Sequence, residues 1–238
     1  MAREREPLRV QQTIRGVKDL ILSQNLGPGD PLPTESELMS RLGVSRSSLR
    51  EAVRTLVALD ILEVRHGTGT FVGQLSLRPL VEGLTFKGIL LPGDDFETLR
   101  QVVEVRTALD LALAPGIVER LAQESALELV ELCDEMSEAG GRNEDFGPAD
   151  RAFHLGLANR AGNELYGQLV AAFWDVHTIV APRLGVPSPR DRSETALAHR
   201  AMLDAGLRGD LDAYRSAVEA HYQPLLRSLH SAELSQPA

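Results

Sequence analysis

The stretch LPTESELMSRLGVSRSSLREAVRTLVALDILEVRHGTGTFV, residues 32–72, decides the fold of the first domain. It begins with a capping box, in which the Thr34 hydroxyl accepts from the Glu37 amide and the Glu37 carboxylate accepts from the Thr34 amide. The box predicts a short helix that ends at Gly43, where glycine supplies a tight turn. Ser45 then caps a second helix. The apolar face of that helix is formed by Leu49, Val53, Leu56 and Leu59.

The end of the same stretch predicts a β-hairpin. Two runs rich in β-forming residues, 61–65 and 70–72, flank the turn residues His66-Gly67-Thr68-Gly69. A glycine-containing turn between two such runs is typical of a hairpin. An amphipathic helix, with apolar residues at helical spacing between Val10 and Ile21, precedes the whole unit. The sequence therefore predicts a winged helix-turn-helix.

The start of the second helix is a candidate DNA-contacting surface. Because its apolar residues face inward, Arg46, Ser47, Ser48 and Arg50 fall at its exposed N-terminal end. Backbone N–H groups there favour an anion, and arginine can bind guanine or phosphate with two hydrogen bonds. The alternative is a solvated helix face with i,i+4 ion pairs, which charge alone would favour. The hairpin beside the helix supports the DNA interpretation.

The average composition hides a difference between two parts of the chain. The 238 residues carry 25 Lys+Arg and 34 Asp+Glu, a formal net charge of −9, which argues against binding of nucleic acid by bulk charge. Residues 1–73, however, have a net charge of +1, and residues 74–238 have −10. Hydrophobic residues make up 43%, enough for two buried cores. The single cysteine, Cys133, permits no internal disulfide and predicts an inert buried thiol.

The second part of the chain predicts an all-helical domain. We expect the first domain to span residues 1–73, a linker to span 74–79, and the helical domain to span 80–238, without a convincing strand. Glycine and proline separate the helices, and the segment Gly185 to Arg192 is the expected loop. The predicted helices cover residues 80–90, 96–122, 125–138, 147–161, 163–181, 193–206 and 210–230. The expected fold class is mainly α.

One arginine interrupts the apolar stripe of the second of these helices. Arg106 lies on the same face as Leu99, Val102 and Leu109, where a guanidinium group needs an anion. Asp110, four residues on, could supply that anion in an internal salt bridge. The spacing alone leaves a salt bridge and a ligand contact equally open.

Four more polar residues lie on apolar stripes of three predicted helices. Asp150 and His154 are one turn apart, and His199 and His221 each align with apolar neighbours. A single inward histidine is usually a satisfied core residue, but leaving all four without partners would cost on the order of 1–3 kcal/mol each. One divalent cation would satisfy them together, and such donors suit zinc, nickel, manganese or iron. An octahedral ion would keep two positions for water or ligand.

The stretch over residues 10–73 resembles the winged helix-turn-helix of the GntR family of bacterial transcription regulators. The resemblance implies contacts to double-stranded DNA from the start of the recognition helix and from the wing tip. Many members carry arginine at the position of Ser36, so the preferred operator of this chain is expected to differ. The implied contact residues are Ser45, Arg46, Ser47, Ser48, Arg50, His66 and Gly67.

The helical domain is similar to the FCD effector domain of the FadR subgroup. The signatures are VVEVRTALD, DRAFH, ETALAHRAML and a late EAH. The resemblance places an effector-binding arginine at Arg106 and a metal, zinc first, at Asp150, His154, His199 and His221. It implies a cytoplasmic homodimer on a palindromic operator, whose repression is relieved by a small carboxylate such as a hydroxy acid or a sugar acid. The set of four metal-binding residues disfavours an acyl-CoA as the effector.

Two other functions stay open at this point. In the first, the same cluster activates water on a bound organic acid, as in a metal-dependent enzyme, although no HExxH motif is present. In the second, the metal only holds the helices together. A transcription regulator is preferred over an enzyme because an enzyme would leave the winged domain without a role. No run of about 18 uncharged apolar residues predicts a membrane span, and the charged start MAREREPLRV does not predict secretion.

Overall fold

The computed structural model describes residues 2–90, 96–180 and 189–234, with side chains for 8–87, 96–180 and 190–231. Contacts divide the chain into two compact units, Met1–Pro79 and Leu80–Ala238. The first unit contains three helices, α1 (Ala2–Ser23), α2 (Glu35–Leu42) and α3 (Arg46–Ala58). Two strands follow, β1 (Leu62–Arg65) and β2 (Gly69–Val72).

The ends of α2 and α3 form as the sequence predicts. The Thr34 hydroxyl accepts from the Glu37 amide at 3.4 Å, and the Thr34 amide donates to the Glu37 carboxylate at 2.8 Å. Gly43 ends α2 with φ of 64°, a left-handed conformation that glycine adopts without a steric penalty. Ser45 caps α3 by accepting from the Ser48 amide at 3.3 Å.

The wing is an antiparallel hairpin in which Leu62 pairs with Val72 and Arg65 pairs with Gly69. The loop before α2 extends it, because Leu32 donates its amide to the Thr70 carbonyl and Val72 donates to the Asp30 carbonyl, both at 2.9 Å. This third segment of the wing was not predicted from the sequence. Its main-chain bonds connect the wing to the helix-turn-helix.

The core of the first unit lies between α1, α3 and the wing. Its buried side chains come from every element of the unit, so the elements form one packed body. Leu59, predicted on the apolar face of α3, instead follows that helix and is 46% exposed, while Ala52 is fully buried. The buried members are Val17, Leu20, Ile21, Leu32, Leu38, Leu49, Leu56, Leu62 and Val72.

The second unit is a helical bundle in the part that the structure describes. Its longest helix, α5, packs against four others and places one face toward the centre of the domain. The fold class predicted from the sequence is therefore confirmed, a winged helix-turn-helix followed by an all-helical domain. The helices are α4 (Arg78–Leu90), α5 (Glu97–Gln123), α6 (Leu127–Gly141), α7 (Gly147–Arg160), α8 (Glu164–Val180), α9 (Pro189–Leu207) and α10 (Leu211–Leu234).

One predicted boundary in the second unit was wrong. The expected loop from Gly185 to Arg192 includes residues 185–188, which lie outside the described residues, but α9 begins at Pro189. Proline suits the first position of a helix because it has no amide hydrogen to leave unpaired, so here it starts a helix rather than extending a loop.

Cys133 is fully buried, and burial raises the pKa of its thiol to about 12. Among the described helices, none is long and apolar enough to cross a membrane.

Candidate DNA-binding surface and metal centre

The N-terminal end of α3 presents a basic, solvent-exposed surface. The side chains of Arg46 and Arg50 are 65% and 58% exposed, and both form ion pairs with Glu35 of α2, at 3.5 and 3.0 Å. Ser47 is also exposed. Ser48 is buried and shares a hydrogen bond with the Ser45 hydroxyl at 3.0 Å. Its hydroxyl therefore contributes to the helix cap rather than to the open surface.

The wing tip is the second exposed part of this unit. His66 and Gly67 form the turn of the hairpin and both are exposed, and Gly67 has φ of 73°. Arg65 lies at the end of β1, where its guanidinium is 4.2 Å from the Phe71 ring and pairs with Glu63 at 2.8 Å. These contacts hold the Arg65 side chain along the wing. The tip of the wing is therefore formed by His66 and Gly67.

In the second unit, three helices bring their histidines to one point. His154 of α7, His199 of α9 and His221 of α10 place ligand atoms within 4.8 Å of one another. The Nε2 atom of His154 lies 3.1 Å from that of His221 and 3.2 Å from that of His199. An oxygen of Asp150 lies 3.2 Å from the Nε2 atoms of His154 and His199. The sequence-predicted cluster is thus one site in space.

Protons alone do not satisfy this cluster. An imidazole Nε2 carries one hydrogen or one lone pair, yet that of His154 faces three other polar atoms at 3.1–3.2 Å. Ligands bound to a single ion at about 2.0–2.2 Å lie roughly 3.0–3.4 Å apart, so the observed separations match such a shell. Within the described part of the chain, the Nδ1 atoms of His199 and His221 are buried without a hydrogen-bond partner. The three histidines can therefore bind a metal ion.

The protonation states also suit a metal. Burial, together with the nearby charge of Arg106, lowers the pKa of His154 to about 4. Burial alone would raise the pKa of Asp150, but the imidazoles of His199 and His154 hold it well below its usual value. Neutral imidazoles and an ionised carboxylate are the forms that bind metal, so no proton has to leave His154 or Asp150 at neutral pH.

Arg106 of α5 has no ion pair among the described residues. It is 7% exposed, and its Nε and Nη2 atoms are buried without a hydrogen-bond partner. The salt bridge to Asp110 that the spacing allowed does not form, and both oxygens of that carboxylate instead accept from tyrosine hydroxyls at 2.6 Å. Burial alone would lower the pKa of Arg106, but Tyr222, Asp110 and Asp150 raise it above its usual value. The guanidinium is charged and available to an anion.

Arg106 and the cluster border the same cavity, which has a volume of about 710 Å³. Asp150 and His221 line it together with apolar side chains of α5 and α8. His177 also lines it, because it is three residues after Trp174, another lining residue, and therefore lies on the same face of α8. A cavity of this size accommodates a small organic ligand.

Comparison with known proteins gives matches over both units. Residues 9–72 match the family described as bacterial regulatory proteins, gntR family, and residues 101–224 match the FCD domain. A protein of Escherichia coli (strain K12) assigned to regulation of the L-lactate dehydrogenase operon is 33% identical over 220 residues, covering 86% of this chain and 80% of the relative. The galactonate operon transcriptional repressor of the same organism is 26% identical, covering 80% and 83%.

A solved structure supports the same relationship. The GntR protein of Streptococcus agalactiae superposes with a TM-score of 0.69 at 28% sequence identity, covering 92% of this chain and 99% of that one. These matches extend over the winged unit and the helical unit together. The two units therefore occur in the same order in related proteins.

Proposed function

The chain belongs to the GntR family of bacterial transcriptional regulators with a C-terminal FCD domain, and from this premise we propose that a small carboxylate bound beside a metal ion controls its affinity for DNA. The family resemblance predicted from the sequence is confirmed. The protein is a DNA-binding transcriptional regulator and not a metal-dependent enzyme. Since bacterial DNA lies in the cytoplasm, the cytoplasmic location is confirmed as well.

The observation that carries the proposal is the unpaired, buried guanidinium of Arg106 in the wall of the cavity. Leaving a buried cation without a hydrogen-bonded anion is costly, so a site with this arrangement is suited to an anionic ligand. Arg106 offers two parallel N–H donors, the pattern that matches a carboxylate. The effector carboxylate is therefore assigned to Arg106.

The metal is assigned to Asp150, His154, His199 and His221. Three imidazoles and one carboxylate suit zinc first, with nickel, manganese or iron as alternatives. When bound, the ion supplies a positive charge that can hold an oxygen of the effector. The residues of the chain hold the ion at one side of the cavity and the guanidinium of Arg106 at another, so a ligand with a carboxylate and a neighbouring hydroxyl can contact both.

The chemical class of the effector is a hydroxy acid or a sugar acid. The relatives described above act on operons of L-lactate and galactonate use, and both of these acids carry a hydroxyl next to the carboxylate. The cavity of about 710 Å³ has room for the longer of the two acids. His177 and Thr178 of α8 also line it and can bind hydroxyls further along the chain of a sugar acid.

On the DNA side, the protein acts as a homodimeric repressor that binds a palindromic operator. Two recognition helices would then contact two half-sites about one helical turn apart. The assigned contacts are the exposed groups at the start of α3 and at the wing tip, with Ser48 acting through the cap. The effector would release the operator by binding more tightly to one of two arrangements of the dimer, a coupling of typically 1–3 kcal/mol. The residues are Ser45, Arg46, Ser47, Ser48, Arg50, His66 and Gly67.

The test selects an operator from random DNA with the zinc-loaded protein and then measures its Kd with and without a panel of hydroxy and sugar acids. We expect at least one acid to weaken operator binding. The Arg106→Ala variant should keep its affinity for the operator but bind the active acid about 10- to 100-fold less tightly, since it loses a charge-assisted interaction. The control is Arg208→Ala, because Arg208 is exposed and directly follows α9.

Two results would contradict the proposal. If no acid of the panel changes operator affinity, control by a small carboxylate is wrong. If Arg106→Ala responds to the acid as the wild type does, the assignment of the carboxylate to this residue is wrong, even though the regulator itself would stand.

A further inference from the structure

A buried network of one acid and two tyrosines lies next to Arg106. Asp110 is 5% exposed, and its two carboxylate oxygens accept from the Tyr166 hydroxyl of α8 and the Tyr222 hydroxyl of α10, both at 2.6 Å. Tyr166 and Tyr222 are themselves buried. Hydrogen bonds of this length to an ionised carboxylate are among the stronger ones in proteins. The network therefore fixes the carboxylate in one orientation.

The orientation matters because Asp110 and Arg106 are one helical turn apart. At this spacing an aspartate and an arginine can pair, and the attraction between the two charges is stronger in a buried environment than in water. Here the Nε and Nη2 atoms of Arg106 have no hydrogen-bond partner, although the negative charge of Asp110 is close enough to raise the pKa of the guanidinium. The Asp110 carboxylate thus stabilises the Arg106 guanidinium by its negative charge, without accepting a hydrogen bond from the Nε or Nη2 group.

We propose that Tyr166 and Tyr222 are positioning residues that hold the Asp110 carboxylate away from Arg106 and so keep the guanidinium free for the carboxylate of the effector. The proposal rests on the proposed function only in the identity of the anion that Arg106 receives. Without the two hydroxyls, Asp110 would supply that anion itself, and the effector would have to displace an internal salt bridge before it could bind.

Tyr222 contacts Arg106 and His221 as well as Asp110. Its ring lies 5.8 Å from the Arg106 guanidinium, and it lines the cavity. The same ring packs edge-on against the imidazole of His221, with centroids 4.8 Å apart. One side chain therefore contacts the acid, the arginine and a candidate metal ligand. Removing only its hydroxyl leaves the two ring contacts in place, which makes Tyr222→Phe a specific probe of the hydrogen bond.

The experiment measures how freely Arg106 reacts with 2,3-butanedione, a small reagent for arginine that can enter the cavity. The zinc-loaded, full-length protein is treated, and modification of Arg106 is followed over time by peptide mass spectrometry. We expect Arg106 to react in the wild type. In Tyr222→Phe the rate should fall to about one tenth of the wild-type rate or lower, because a ten-fold factor corresponds to one charge-assisted hydrogen bond.

A second substitution separates positioning from a structural role. Asparagine at position 110 keeps the shape of the side chain but removes the charge that would capture Arg106. We therefore expect Asp110→Asn to react at least as fast as the wild type, and Tyr222→Phe combined with Asp110→Asn to recover the wild-type rate. A purely structural network predicts instead that the two changes disturb the site in the same direction. Tyr214→Phe is the control, because this buried tyrosine of α10 makes no hydrogen bond to Asp110 within the described structure.

Each outcome decides the proposal. It is overturned if Arg106 does not react in the wild type, if Tyr222→Phe reacts as fast as the wild type, or if Asp110→Asn fails to restore the rate. Metal content and melting temperature of each variant show whether the domain is intact. Because the assay uses neither DNA nor an organic acid, its result is independent of whether a carboxylate controls operator binding.

Discussion

The arginines of the two units lie in opposite surroundings. Arg46 and Arg50 extend into solvent at the start of α3, where both pair with the exposed carboxylate of Glu35. Arg106 is only 7% exposed in the helical domain, and its Nε and Nη2 atoms have no hydrogen-bond partner among the described residues. In the winged unit, the two arginines are paired at a position where water could replace Glu35. In the described part of the helical unit, Arg106 is unpaired at a position from which water is largely excluded.

The difference suits the two ligands proposed for these surfaces. Exposed ion pairs contribute about 0–1 kcal/mol, so a DNA phosphate can replace Glu35 at little cost. A buried guanidinium without a partner is unfavourable, so its site is complete only when an anion enters. Under the proposed function, recognition of DNA would depend on several exchangeable contacts, whereas recognition of a small acid would depend on a few fixed ones.

The largest effect is expected at the metal cluster. His199 is fully buried and lies 3.2 Å from both Asp150 and His154, so His199→Ala removes a ligand from the centre. Metal affinity should fall by more than the roughly 10- to 100-fold that loss of an outer partner costs. Metal analysis and melting curves with and without added zinc measure this, and the stabilisation by zinc should be lost.

The control for the metal cluster is His230→Ala, because His230 is an exposed histidine of α10 that lies outside the cluster. A full complement of metal in His199→Ala would show that the ligand set is wrong.

The proximity of Asp150 to the three histidines is also the feature of the candidate site that the sequence predicted best. Each of these residues lies on an apolar stripe, and a stripe fixes the direction of a side chain even when the helix packing is unknown. The partner of Arg106 could not be predicted in this way. Asp110 is at the right spacing, but Tyr166 and Tyr222 come from helices far along the chain and occupy it. Only the packed structure shows which of two local options forms.

In the winged unit, local signals were sufficient for the helix ends and the hairpin. The capping box at Thr34 and the glycine at position 43 act through neighbouring residues, so they can be read without tertiary contacts. The contribution of residues 29–32 to the wing depends on main-chain bonds to β2, which have no side-chain pattern. Burial of Ser48 likewise follows from how α3 packs.

A smaller effect is expected at the DNA surface. If Arg46 reads a base, Arg46→Ala should weaken specific binding to the selected operator by roughly 1–3 kcal/mol. Arg54→Ala is the matched control, because Arg54 is on the same helix, 74% exposed and paired with Glu51. Gel-shift or anisotropy titrations at fixed salt measure both variants. An operator affinity of Arg46→Ala equal to that of the control would contradict the assignment.

Within the cavity, His177 is expected to affect selectivity more than affinity. His177→Phe keeps an aromatic ring beside Trp174, with which it packs at 5.8 Å, but removes the ring nitrogens. Acids long enough to reach it should lose about 0.5–1.5 kcal/mol, the usual contribution of one hydrogen bond, and short acids should lose nothing. The concentration of each acid that half-releases the operator gives this ratio. Equal losses for long and short acids would place His177 near the shared carboxylate end instead.

The smallest effect is expected at Glu35, whose side chain is 42% exposed. Glu35→Gln removes the partner of Arg46 and Arg50 but leaves both arginines in solvent, so the free energy of unfolding should change by about 1 kcal/mol or less. Operator affinity should rise slightly, because the two arginines no longer have to exchange an internal carboxylate for a phosphate. Glu51→Gln, which frees Arg54 in the same way, should raise operator affinity less because Arg54 is further from the start of α3. Urea unfolding and operator titrations at two salt concentrations measure both quantities. A destabilisation of several kcal/mol would mean that the Glu35 pair behaves like a buried one, and the contrast with Arg106 would then not depend on exposure.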